Sequence, residues 1–289
     1  MGSKFQYGGQ AVIEGVMMRG PSSVSLAVRR SDGEIALECE KNEPIASRHK
    51  FLGWPMIRGT VALIESLVIG IRMINRSANL AMDEEEEELS AGEMLGVGLL
   101  ATVMAVALFV ALPTGVVHFT KQYIGGVIAQ NLVEGVIRIT VFLVYVTAIS
   151  RMKDIQRVFM YHGAEHKVIN TMESGLALEI NNIISKSTLH PRCGTSFLLV
   201  VMIISILVFA FLGEGTLLWR ILSRLIVLPI VAGLGYEFIK ITGRFSHQGW
   251  AKILMAPGLW LQGLTTREPD QDQIEVAVCA LKAVLEGNA

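Results

Sequence analysis

The chain has 289 residues, 52% of them hydrophobic and only 18% charged, with a mean hydropathy of +0.49. Soluble domains carry about 25% charged residues, so these figures exclude a disordered chain, a disulfide scaffold and an ordinary soluble enzyme. They point to an integral membrane protein, provided the apolar residues come in runs. The net charge of −1 lacks the basic skew of a nucleic-acid binder, and no such partner is expected. Cys39, Cys193 and Cys279 are odd in number, far apart and free of any C-x-x-C pair, which suits a reducing compartment. The first residues, MGSKFQYGG, lack the layout of a signal peptide, and Gln6 breaks the myristoylation pattern.

Residues 1–50 read as a cytoplasmic β-hairpin unit. SVSLAVRR and EIALECE alternate around Asp32-Gly33, a strong hairpin signal. Before them, AVIEGVMMRG reads as one further strand ended at Gly20-Pro21. GGQAVIEGVMMRGP is glycine-rich but does not fit a phosphate loop. Its candidate polar groups are Glu14 and Arg19, against the plainer reading of a bulged strand and turn. Residues 51–93 hold an amphipathic helix and an acidic linker. Arg58, Glu65 and Arg72 recur every seven residues, and Asn79 continues that stripe on an otherwise apolar helix. Such a helix lies in the membrane interface or packs under the bundle; a re-entrant fifth span is disfavoured by its three charges. The run Asp83 to Glu88 reads as a solvated linker rather than a metal site.

Four transmembrane spans follow, in two hairpins at 94–150 and 196–240. Met94 to Thr120 contains no Asp, Glu, Lys or Arg, and a span needs about 20 apolar residues. Leu132 to Ser150 forms the second, Ser196 to Leu212 a short third, and Leu217 to Ile239 the fourth. Of 25 Lys and Arg, 21 lie in residues 1–93, 151–195 and 240–289. The positive-inside rule therefore puts both termini and the 151–195 segment in the cytoplasm. The membrane charges Glu134, Arg138, Arg220 and Arg224 read as interfacial snorkelling plus a structural Glu134–Arg pair, or as a polar pathway between the hairpins. Near the end of the last span, Glu237 needs a partner, with Arg19, Arg192 or Lys240 as candidates. Within 241–289, ILMAPGLWLQGL is too short to cross, is broken by Pro257, and docks on the membrane or bundle. Ile274, Ala277, Val278, Leu281, Val284 and Leu285 then form the apolar stripe of a C-terminal helix packed on the β unit.

The segment 151–195 carries the chemistry. YHGAEHK contains His162-x-x-Glu165-His166, the H-x-x-E-H order of inverted zincins. On a helix the two histidines share a face and can bind one Zn²⁺, with Glu165 placed to take a proton from water. Gly163 weakens the helix slightly. His190 and Cys193, in HPRCGTS, are spaced like further ligands. Three readings stand: a catalytic site on His162, His166 and His190; a closed structural site including Cys193; or no metal. In the last, the histidines cap helices or meet headgroups and Arg192 reaches phosphate. His49 and His247, beside basic and aromatic residues, suit the headgroup zone.

GGQAVIEGVMMRGP, RHKFLGWPMIRG, FMYHGAEHK, HPRCGTSFLLVV and LTTREPD, in that order, resemble the YqhQ-like family of bacterial membrane proteins, a domain of unknown function. The resemblance spans nearly the whole chain. It implies a bacterial cytoplasmic (inner) membrane location and the label of a metal-dependent enzyme, and it carries over no substrate.

The expected fold is thus an α-helical polytopic membrane protein of about four spans with a small cytoplasmic β/α cap. Three functions compete: a metal-dependent hydrolase, with Zn²⁺ as cofactor, acting on a lipid-linked or membrane-proximal substrate; a non-catalytic assembly or scaffold protein; and a small homo-oligomeric transporter or channel. The bilayer is the expected partner in each.

Overall fold

The structure, a computed structural model, describes residues 7–45, 50–82, 91–213 and 215–287. His49 and the acidic run 83–88 lie outside the described residues.

Four strands, β1 (Gly8–Val12), β2 (Gly15–Arg19), β3 (Ser23–Arg29) and β4 (Ile35–Lys41), form one antiparallel sheet in chain order. The β3–β4 hairpin matches its sequence signal. Gly33 takes a left-handed φ of 89°, and the Asp32 carboxylate accepts from the Glu34 amide at 2.8 Å. The segment read as one strand across AVIEGVMMRG is instead two strands reversing at Ile13-Glu14, with Val12 paired to Gly15. Glu14 adopts a φ of 51°, which is uncommon for a residue with a side chain. Its carboxylate is held across the turn by Arg157 and by the Tyr161 hydroxyl.

Both faces of the sheet are covered, so β2 and β3 are buried along nearly their whole length, the alternating serines of β3 included. On one face Val16, Met18 and Ala27 pack against α5 (Lys153–Glu173) and α10 (Gln271–Glu286). On the other, Val12, Met17, Val24, Leu26 and Val28 meet Ile69 and Met73 of α1 (Ile57–Ala81). The polar stripe of α1 faces protein. Arg58 pairs with Glu237, Glu65 with Arg19 at 2.7 Å, and Arg72 with Glu40. The opposite side of α1 leaves Ile64, Leu67, Val68 and Ile71 exposed.

The helical part begins with α2 (Ala91–Val106), a π turn (Ala107–Ala111) and α3 (Leu112–Thr120) in unbroken succession. Pro113 lacks an N–H, so the Phe109 carbonyl four residues back is free; it accepts from Arg138 Nε at 3.0 Å. Next come α4 (Gly126–Ile149), α5, the short α6 (Ile180–Ile184), α7 (Gly194–Phe209), α8 (Leu217–Arg244), α9 (Gly249–Thr265) and α10. Three runs are long and apolar enough to cross a membrane: Gly96–Tyr123, Gly126–Ile149 and Leu217–Arg244. Helix α7 is apolar but has 16 residues. Helix α9 continues through Pro257, contrary to the expected break there. Buried Ala251 and Met255 before the proline, and Gly258 and Leu261 after it, hold the helix together. A Cβ at Gly258 would stand 2.8 Å from Ser196 of α7.

Candidate functional site

Helix α5 carries His162, Glu165 and His166 on one side, as the i, i+3, i+4 spacing requires. Gly163 fits the helix because it must: a Cβ there would lie 2.0 Å from the Arg267 carbonyl oxygen. The close approach brings the chain after α9 over the helix, and with it the Thr265 carbonyl. That carbonyl accepts from His162 Nδ1 at 2.8 Å. The Thr188 carbonyl does the same for His166 Nδ1 at 2.5 Å. A carbonyl only accepts, so each ring carries a proton on Nδ1, and Nε2 is the nitrogen left to serve as a ligand. His162 Nε2 lies 3.2 Å from Cys193 Sγ. One ligand atom from each of His162, His166 and Cys193 falls within 4.8 Å of the others.

Cys193 is the N-cap of α7, and its sulfur accepts from the Thr195 amide at 3.4 Å. The N-terminal end of a helix favours negative charge. His190 sits close by, its ring centroid 5.7 Å from that of His166. Both its nitrogens are engaged: Nε2 with Glu173 at 3.4 Å, and Nδ1 as acceptor from the Arg192 amide at 3.4 Å. Burial pushes the His190 imidazole below its ordinary value, against the pull of Glu173. Glu173 is itself held low despite burial, because His190 and Arg192 both bind it. His190 is therefore a neutral neighbour of the cluster. Arg192 pairs with Glu173.

Glu165 is 5% exposed. Burial raises its carboxyl above the usual carboxylate range, opposed by His162 and by the Gly9 amide, which donates to it. Gly9 is needed there: a Cβ would meet the Met17 carbonyl at 2.6 Å and Glu165 Cγ at 2.9 Å. A pocket of about 80 Å³ opens over this group, lined by Gly8, Gly9, His162, Glu165, His166 and Cys193 among others. It has room for a few waters or a small functional group.

The remaining candidates lie elsewhere. Glu14 stands at the β1–β2 turn with Arg157, and Arg19 is bound to Glu65. Glu237 pairs with Arg58 at 2.5 Å and accepts from the Met56 amide; of the three expected partners Lys240 adds a weaker electrostatic pull, while Arg19 and Arg192 pair with Glu65 and Glu173. Sequence spacing missed this because α1 and α8 are 179 residues apart along the pair. The membrane charges do not snorkel. Glu134, Arg138, Arg220 and Arg224 are all buried between α3, α4, α7 and α8. Arg138 binds Glu134 at 2.8 Å, and Arg224 binds it at 3.0 Å. His247 is exposed after α8.

Sequence reasoning also missed the supports of the site. Gln262 is fully buried and clamps His190, accepting from its amide and donating to its carbonyl, each at 2.9 Å, while also reaching Ser196. Lys167, 3% exposed, donates to the Ile184 carbonyl at 2.8 Å and pairs with Glu268 at 2.9 Å. An isolated Gln in an apolar segment was the available signal for the first.

Fold and site together define a predominantly helical protein with three membrane-length helices, a small antiparallel sheet and a His–His–Cys cluster at the start of a shorter apolar helix. The chain belongs to the family described as "Protein of unknown function (DUF1385)", which it matches over residues 54–287. It is 34% identical over 294 residues to the "Uncharacterized protein YqhQ" of Bacillus subtilis (strain 168), covering 96% of this chain and 92% of the relative. No solved structure matches.

Proposed function

We propose that this protein is a metal-dependent hydrolase working at the cytoplasmic face of the bacterial inner membrane, with Zn²⁺ held by His162, His166 and Cys193. One observation carries the reading. Two imidazoles are each tied through Nδ1 to a backbone carbonyl, His162 Nε2 lies 3.2 Å from the buried Cys193 thiol, and one ligand atom from each of His162, His166 and Cys193 falls within 4.8 Å of the others. Metal-binding histidines are oriented by such second contacts. Two nitrogens and a sulfur suit Zn²⁺, and three protein ligands beside an open pocket suit a catalytic rather than a closed site. A closed four-ligand set would need His190, whose nitrogens are already engaged.

When bound, the ion supplies Lewis acidity to a polarised substrate oxygen and to water. The chain's own groups do the rest. Glu165 takes the proton from the attacking water and returns it to the leaving group. The Gly9 amide fixes that carboxyl, and Thr265 and Thr188 fix the imidazoles. The pocket mouth lies beside the start of α7, which favours a substrate that is itself at the membrane.

The membrane reading rests on the three long apolar helices, with α7 as a short fourth span, and on the basic residues that put both termini in the cytoplasm. The exposed apolar side of α1 suits the interface.

Metal analysis of purified protein tests the site. About one zinc per chain is expected, lost in His162→Ala and in Cys193→Ala. Glu165→Gln should keep the metal and the fold yet fail to rescue a strain lacking the protein. A wild type free of metal, or rescue by Glu165→Gln, overturns the proposal.

A further inference from the structure

A second polar centre lies inside the helix bundle, away from the His–His–Cys cluster. Glu134 of α4 stands at its middle. It accepts from Thr114 of α3 at 3.1 Å, from Arg138 at 2.8 Å, and from Arg224 of α8 through two nitrogens at 3.0 and 3.1 Å. Arg138 is then satisfied by the Ser205 hydroxyl and the Phe109 carbonyl, each at 3.0 Å. The Phe209 ring lies under both guanidiniums, at 5.1 and 5.5 Å. This layer is complete.

One helical turn toward the connection at 121–125 the situation changes. The antiparallel contact of Thr114 with Glu134 places His118 opposite Gln130 and Asn131, and Arg220 one turn before Arg224. Arg220 is 2% exposed and gives one nitrogen to the Gln130 carbonyl. Its other terminal nitrogen, Nη1, is buried with no hydrogen-bond partner among the described residues. The same holds for Asn131 Nδ2 and His118 Nδ1. Asn131, 3% exposed, spends its oxygen on Arg224. Two helices thus bring unpaired N–H groups, Asn131 Nδ2 and Arg220 Nη1, to one layer, and a third brings the unpartnered ring nitrogen of His118.

Charge points the same way. Arg138, Arg220 and Arg224 bring three positive charges, and guanidinium does not deprotonate in proteins. Among the described residues of this cluster, Glu134 is the one acid. Among the described residues two of these positive charges have no counter-charge, in a layer bordered by apolar side chains that face outward, such as Leu132, Leu218 and Leu222. Buried charges are normally paired, because desolvation of a lone ion is costly. A water can accept from these donors but cannot neutralise them. A group with several acceptor oxygens and negative charge does both, and guanidinium matches phosphate geometry.

We infer that the layer formed by His118, Asn131 and Arg220 binds a phosphate-type oxyanion inside the bundle. The oxyanion is either inorganic phosphate or the phosphate of a phospholipid headgroup. This site is independent of the metal reading.

The test uses the full chain purified in detergent. Thermal unfolding is followed as inorganic phosphate replaces gluconate at fixed pH and ionic strength. A saturable rise of about 5 °C in the wild type is expected, absent in Arg220→Gln. Asn131→Asp guards against a variant that fails to fold. It supplies the negative charge internally, so it should unfold higher than wild type in gluconate and no longer respond to phosphate. A second arm measures organic phosphorus after exhaustive detergent exchange. If the headgroup is the ligand, wild type retains about one phospholipid per chain, Arg220→Gln loses it, and the phosphate response appears only after delipidation. A wild type with neither response nor retained phospholipid overturns the inference. So does an equal response in all three proteins.

Discussion

The unusual positions of this protein are those where backbone meets side chain. Gly163 is the sharpest case. With a carbonyl oxygen only 2.0 Å from where its Cβ would be, Gly163→Ala forces α5 away from the segment after α9. A cost of about 1–3 kcal/mol is expected, as for other overpacked sites. In thermal unfolding this is a drop of several degrees, and because Thr265 moves with Arg267, metal retention should fall as well. A Gly163→Ala protein as stable as wild type would show that the contact is not needed. Gly9 makes the complementary test. Gly9→Ala pushes on the Met17 carbonyl and on Glu165 Cγ together, so it should lower rescue activity more than it lowers zinc content. The motif around His162 and His166 was legible because helical spacing alone puts them on one face. The roles of Thr188, Thr265 and Gly9 were not, because each acts through its backbone, which has the same chemistry at every residue.

Among elements, α1 joins the sheet to the bundle. Its Arg58 meets Glu237 near the C-terminal end of α8, while Gly59 and Gly233 let the helices touch: a Cβ at Gly59 would reach Tyr236 at 2.6 Å, and one at Gly233 the Met56 carbonyl at 2.6 Å. Gly59→Val should therefore destabilise the protein by about 1–3 kcal/mol. Arg58→Ala and Glu237→Ala should each cost less, since both side chains keep some exposure (30% and 19%). A double-mutant cycle on thermal unfolding should give a coupling of about 1 kcal/mol; no coupling would mean the pair is incidental. The seven-residue stripe marked one polar side of α1, for a helix in the interface or under the bundle, and the structure places Arg19, Glu40 and Glu237 against that side. Which partners would fill that side was hidden, because an ion pair between distant segments leaves no periodic trace. The same limit explains α9. Pro257 in a short apolar run reads as a break, yet packing on α7 before and after the proline outweighs one missing hydrogen bond. It explains β1 and β2 as well, where a non-glycine residue makes the turn because Arg157 and Tyr161, from another element, hold its carboxylate.

For the molecule as a whole, topology is the first thing to measure. Cys39 is exposed on β4, Cys279 half-buried on α10 and Cys193 buried. If both termini are cytoplasmic, a membrane-impermeant maleimide should leave intact cells unlabelled and label Cys39 in inverted vesicles. Labelling of Cys39 in intact spheroplasts would reverse the orientation. Composition and the spacing of apolar runs were enough to mark a membrane-type helical chain, its sheet-forming start, its amphipathic last helix and its H-x-x-E-H helix. These are local properties, set by hydrophobic period and turn chemistry within a dozen residues. Tertiary structure alone decided which buried polar groups meet. It turned His190 toward Glu173 and left Cys193 with the two histidines. It also gathered Arg138 and Arg224 around one glutamate, Glu134, and left Arg220 one turn away and incompletely paired. The reason is physical: a buried polar group must find its partner wherever the fold brings one, and that choice is made in space rather than along the chain.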